Sequence, residues 1–239
     1  MDKSTAKAFT NKAYDAPDKR TDVGGYKYDT SLSNVDTGIW HNHEKKLTVV
    51  ANRGSVTKKD WLVSDPHIAF GAEGASSRFK RAVKQTKQAH AKHNYDVYVV
   101  GHSLGGSLSN HTTMKLGANS WYIGSIGFNA GVSSVGKGFY FSKARRDCRK
   151  KKGKPAYCDK TTNHFNSGDP VSNKNLACDL ATWGMGGKMC RKRVGYGKEI
   201  YEDNRKKKTG LLKFVPRPMV VKQVEDALQH KMDRFAKDS

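Results

Sequence analysis

The chain has 239 residues, 36% of them hydrophobic, with only 29 Gly and Pro, so it can bury one core and is neither disordered throughout nor a collagen-like fibre. No apolar run approaches the roughly 18 residues that span a bilayer. The opening Met-Asp-Lys-Ser-Thr-Ala-Lys also lacks the apolar stretch of a signal peptide. Forty-four Lys and Arg against 22 Asp and Glu leave +22, nearly all of it in three windows: 78–92, 143–160 and 188–217.

Residues 1–24 are polar, carry Pro17 and show no sustained periodicity, and read as a loosely ordered lead-in. Residues 45–52 hold a β-rich run that ends at Arg53-Gly54-Ser55, a buried strand entering a tight turn. Residues 76–93 read as a helix capped by Ser76 or Ser77, with Phe79, Ala82, Val83, Thr86 and His90 on one face and Lys and Arg opposite. Tyr95 to Val100 is a second buried strand, 104–117 a helix rich in small residues, and Trp121 to Asn129 a third strand. This alternation predicts an α/β fold with a mostly parallel sheet flanked by helices, one domain over residues 25–239. After Gly131 the pattern loosens into two basic, cysteine-bearing insertions at about 132–160 and 173–210, separated by a strand from Thr161 to Asn166 and by Gly168-Asp169-Pro170. Residues 219–236 regain helical spacing through Val220, Val221, Val224, Leu228, Met232 and Phe235.

Cys148, Cys158, Cys178 and Cys190 fit no zinc-finger spacing, which needs close pairs. Two local disulfides, Cys148 with Cys158 and Cys178 with Cys190, or four free thiols, suit them better. The histidines His41, His43, His67, His90, His93 and His111 follow no metal-ligand spacing, and no metal or organic cofactor is expected. Asn110-His111-Thr112 matches a glycosylation sequon but falls inside the 104–117 helix, where a glycan would clash.

The chemistry-bearing segment is Gly101-His102-Ser103-Leu104-Gly105-Gly106. It satisfies G-x-S-x-G between a buried strand and a helix, the context in which a strained turn lifts a serine hydroxyl above a sheet and aims a helix N-terminus at the reaction centre.

The stretch from Leu47 to Asp169 resembles the class 3 lipases, a branch of the α/β-hydrolases. The resemblance rests on Arg53-Gly54-Ser55 with Asp60-Trp61, on Gly-His-Ser-Leu-Gly-Gly at 101–106, on Phe128-Asn129-Ala130-Gly131 and on Gly168-Asp169-Pro170-Val171, all in family order. In its compact, lysine-rich form the chain is similar to lipase-like proteins encoded by large DNA viruses. The resemblance implies Ser103 as nucleophile, Asp169 as triad acid and, because the family order places histidine last, His230 as base; only His230 follows Asp169. It also implies an oxyanion hole from the Leu104 N–H and Ser55, and an apolar flap at about Val56 to Ala75. Asp65 and Asp179 are the rival acids, and His164 the rival base.

The expected activity is hydrolysis of lipid carboxylic esters by a lipase or phospholipase with an acyl-enzyme intermediate. The alternative is a non-catalytic basic structural or nucleic-acid-binding protein on a retained hydrolase fold. The charge favours an anionic partner, a membrane surface ahead of nucleic acid. The expected setting is virion-associated or cytoplasmic.

Overall fold

A computed structural model of the chain describes residues 1–54, 72–131, 135–166 and 196–202. The elements in chain order are α1 (Lys3–Lys12), β1 (Lys27–Tyr28), β2 (Thr37–Asn42), β3 (Leu47–Asn52), α2 (Ala72–His93), β4 (Asp96–His102) and α3 (Leu104–Leu116). There follow β5 (Tyr122–Phe128), α4 (Val135–Cys148), β6 (Thr161–Asn166) and β7 (Lys198–Glu202). No helix among the described residues is long and apolar enough to cross a membrane.

The seven strands form one sheet in strict chain order. β1, β2 and β3 are antiparallel, and β3 through β7 run parallel, with Val50 opposite Val99, Gly101 opposite Gly127 and Phe128 opposite His164. The runs Leu47-Thr-Val-Val-Ala and Val97-Tyr-Val-Val suit strands covered on both faces, where no polar alternation is needed. Right-handed crossovers that always step the same way along a sheet lay their helices on one face. Accordingly Phe79 and Ala82 of α2, Leu104 and Leu108 of α3, and Phe141 and Ala144 of α4 form one cluster. The opposite face, with Trp40, Val49, Ala51, Val100, Ile126 and Phe128, packs against α1.

That last contact corrects the expected loose lead-in. Asp2 caps α1 by accepting the Thr5 N–H at 2.7 Å, and Ala6 and Phe9 are fully buried. The Phe9 ring meets Tyr26 edge-on at 5.0 Å and Trp40 at 5.4 Å. Arg20 then donates to the carbonyls of Ala13, Asp15, Asn34, Val35 and Thr37 and fastens the segment to β2. The apolar face of α1 is only Ala6, Phe9 and Ala13, too narrow to show as periodicity among polar neighbours.

The two insertions also differ from expectation where they are described. Within 132–160 lies α4, whose Phe141 and Ala144 are buried, so the stretch is the crossover from β5 to β6 rather than a surface excursion. The expected Cys148–Cys158 disulfide is formed, with the two Cα atoms 5.3 Å apart. Within 173–210 lie buried Tyr196 and strand β7, tied to α4 by an Arg145–Glu199 ion pair at 2.6 Å. The Cys178–Cys190 pairing, the flap and the 219–236 helix fall on residues outside those described, apart from the last positions of the flap, where α2 begins.

Candidate active site

The parallel strands all end on one edge of the sheet, and Ser103 stands there, between β4 and α3. Its backbone is at φ 57°, ψ −125°, a conformation that side chains rarely adopt and that costs on the order of 1–3 kcal/mol. Neighbours hold it: the Ser103 N–H donates to the Phe128 carbonyl at 3.0 Å, and the Ser103 carbonyl accepts from Ser107 at 3.2 Å and Gly131 at 3.3 Å. The glycines around it are required by contact. A Cβ on Gly101 would run into the Gly105 carbonyl, and one on Gly105 into the carbonyl of Asn52 at the end of β3. The turn is thereby pressed against the neighbouring strand. The first N–H groups of α3, Leu104 foremost, face the serine end of the helix with its positive dipole.

Beside this turn the chain leaves β3 through Arg53 and Gly54. Gly54 lies so close that a Cβ there would approach the Ser103 Cβ and the His102 carbonyl. The Gly54 N–H donates to the Tyr14 hydroxyl at 3.2 Å, and the same hydroxyl pairs with His102 Nδ1 at 2.9 Å. Burial pushes the Tyr14 phenol up to about 12, against the opposing pull of the Gly54 N–H and of Arg53 and Arg78, so it stays protonated at neutral pH. From α2, Arg78 donates to the Arg53 carbonyl at 2.7 Å and pairs with Asp36 at 3.3 Å. Tyr14 is the residue touching the serine turn that sequence reasoning missed. Nothing local marks a tyrosine 40 residues from Gly54 and 88 from His102.

On the other flank, β5 ends in Asn129 at φ 42°. The Asn129 N–H donates to the His164 carbonyl at 2.8 Å, and its Oδ1 accepts the Asn166 N–H at 2.9 Å, locking the ends of β5 and β6 together. Behind the turn, Asn110 donates to Asn163 at 3.0 Å, Asn163 donates to the Tyr196 carbonyl at 2.9 Å, and the Tyr196 hydroxyl donates to the Asn110 carbonyl. Asn110 is fully buried, so its sequon is out of reach of a glycan.

Of the residues expected at the site, the described ones are Ser103 and Leu104. Ser55, Asp169 and His230 lie outside the described residues, as do the rival acids Asp65 and Asp179. Ser55 follows Gly54 directly, and Asp169 comes three residues after Asn166, the last residue of β6. The rival base His164 is buried in β6 with its ring stacked on Phe128, centroids 5.4 Å apart.

Residues 14–138, just over half of the chain, match a family model described as a phospholipase-like, Tle-like phospholipase domain. The chain belongs to that family. Its parallel sheet, the strand–serine–helix turn and the flanking helices are those of an α/β-hydrolase. Among solved structures, a fungal lipase is similar at 17% identity over 83% of this chain and 77% of that one, with a TM-score of 0.49. A triacylglycerol lipase from Penicillium expansum shares 18% identity over 83% and 77%, with a TM-score of 0.45. Lipase II from Rhizopus niveus shares 15% identity over 70% and 71%, with a TM-score of 0.43. No curated protein matches the chain.

Proposed function

We propose that the chain is a serine esterase that cleaves carboxylic ester bonds of lipids, phospholipids among them, through an acyl-enzyme intermediate. The observation that carries this reading is the positive φ of Ser103, a strained serine held between a buried strand and a helix N-terminus. Membership of a phospholipase-like family supports the lipid class of the substrate.

In this reading Ser103 Oγ attacks the ester carbonyl while His230 takes its proton, then returns it to the departing alcohol. Asp169 fixes the imidazole tautomer and stabilises the imidazolium. Its support is its place in the chain, three residues after β6, a strand whose own end lies on the edge that carries Ser103. The Leu104 N–H and Ser55 hold the tetrahedral oxyanion, and losing one such donor removes roughly 3–4 kcal/mol of transition-state stabilisation.

A fluorophosphonate probe labels an activated serine and spares an inert one. It should label the purified protein and leave Ser103→Ala unlabelled. On a panel of glycerides and phospholipids, Ser103→Ala, Asp169→Ala and His230→Ala should each lower kcat by about a thousandfold or more. Near-wild-type turnover in His230→Ala would move the base to His164. Labelling that survives in Ser103→Ala, or a wild type inert to probe and lipids alike, would overturn the reading. In that second case the +22 charge favours a non-catalytic, nucleic-acid-binding protein on the same fold.

A further inference from the structure

At the opposite edge of the sheet from Ser103, two histidines far apart in sequence meet one carboxylate, with a third histidine ring alongside. His41 is the next-to-last residue of β2, His43 follows the strand, His93 ends α2, and Asp29 sits just after β1. One ligand atom each from Asp29, His41 and His93 lies within 4.8 Å of the others. The His41 and His93 rings meet edge-on at 4.5 Å, and the His43 ring stands 5.2 Å from that of His93.

We propose that Asp29, His41 and His93 bind a Zn2+ ion that clamps the β1–β2 hairpin to the end of α2, and that Lys92 competes with it. Imidazole nitrogens with one carboxylate are the donor set of a borderline-soft divalent ion. Tetrahedral bonds of 2.0–2.1 Å put ligand atoms roughly 3.3 Å apart, so the observed spacing needs only small shifts.

The surroundings are built for either state. His41 Nε2 lies 2.7 Å from Asp29 Oδ2, and its Nδ1 lies 2.7 Å from the Thr48 hydroxyl. A hydroxyl both donates and accepts, so Thr48 can serve the tautomer that gives Nε2–H to Asp29 and the one that turns the Nε2 lone pair to a metal. The other Asp29 oxygen accepts from the N–H groups of Ser31 and Leu32 and from the Ser31 hydroxyl, which fixes the carboxylate's direction. His43, whose Nδ1 is 3.0 Å from the Tyr95 hydroxyl, flanks His93 and helps hold its ring in place.

Lys92 is the present cation. Its ammonium lies 2.6 Å from Asp29 Oδ2 and 2.9 Å from the Ser31 hydroxyl, and its side chain is 37% exposed. It can therefore swing into solvent and yield the carboxylate to an ion arriving past His93 and His43.

The test is zinc titration of chelator-stripped, full-length protein by calorimetry and thermal unfolding. Wild type should take up one Zn2+ per chain and unfold at higher temperature with it. His93→Ala, at a half-buried helix end, should bind at least tenfold more weakly with its zinc-free melting temperature little changed. Lys92→Ala should bind at least threefold more tightly. The opposite signs separate a metal site from an ion-pair network, in which neither variant alters zinc affinity. Zinc binding by His93→Ala equal to wild type, or by Lys92→Ala no tighter than wild type, would overturn the proposal.

Discussion

Tyr14 lies where the α1 segment, the β3 exit turn and the serine turn meet. Its hydroxyl accepts from Gly54 and pairs with His102, so one oxygen sets the spacing between the residue before Ser55 and the residue before Ser103. Tyr14→Phe keeps the ring and removes that oxygen. It should lower kcat on a soluble ester about tenfold while KM stays near wild type, because the change displaces the proposed oxyanion donors and not the bound acyl chain. Steady-state kinetics on a short-chain nitrophenyl ester would check the split. The same phenol, raised to about 12 from an unfolded value near 10, contributes stability that is fully present below pH 10. That contribution, roughly 2–3 kcal/mol, is lost as pH rises from 10 through 12, so Tyr14→Phe should flatten part of the alkaline loss seen in urea unfolding. At this scale Ser103 and Leu104 were legible because glycine spacing announces close backbone approach. Tyr14 and the His41–His93 pair were not, because residues far apart in sequence meet only once the sheet has formed.

Among the elements, those with a long buried run declared themselves: β3, β4, β5, β6, α2 and α3 all lie close to where periodicity put them. β2 did not. Thr37, His41 and Asn42 are buried polar residues, and their partners, Asn52, Thr48 and the Gly25 carbonyl, come from other parts of the chain. α4 was hidden by its charge. Its Lys and Arg residues read as a surface loop, yet Phe141 and Ala144 pack on α2 and α3. The disulfide at its end ties Cys148 to Cys158 across a sequence separation of 10 residues, which chain entropy values at about 2–3 kcal/mol. Cys148→Ser with Cys158→Ser should therefore lower the melting temperature by several degrees and leave the kcat of the proposed esterase unchanged. Differential scanning calorimetry beside an ester assay would test both halves.

For the whole molecule, charge is the dominant feature. Exposed Lys80, Lys84 and Lys87 of α2 and Lys143 and Arg146 of α4 stand on elements that share one face of the sheet. Each basic side chain near an anionic bilayer contributes about 1 kcal/mol, fading within a Debye length of about 10 Å at 0.1 M salt. Vesicles of phosphatidylglycerol should co-sediment the protein well above vesicles of phosphatidylcholine, and about 0.5 M salt should abolish the difference. Hydrolysis of a soluble ester should barely respond to salt. Equal binding to both lipids, with a salt-sensitive DNA shift, would assign the charge to nucleic acid.

The strict strand order has a consequence in time. A sheet that adds each parallel strand on the same side leaves its second face to α1, a helix that precedes every strand of the sheet in the chain. α1 shares one buried cluster with Val100, Ile126 and Phe128, so the surface under Phe9 is not complete until Phe128, 119 residues further on, has been made. At roughly 5–20 residues per second that delay is on the order of 6–24 s. Until then Phe9 has only its early neighbours Tyr26 and Trp40 to pack on, and the growing sheet keeps one face incompletely covered. α1 is made before every strand it covers, yet it cannot finish docking until β5 exists, and over that interval the chain is most exposed to misassembly.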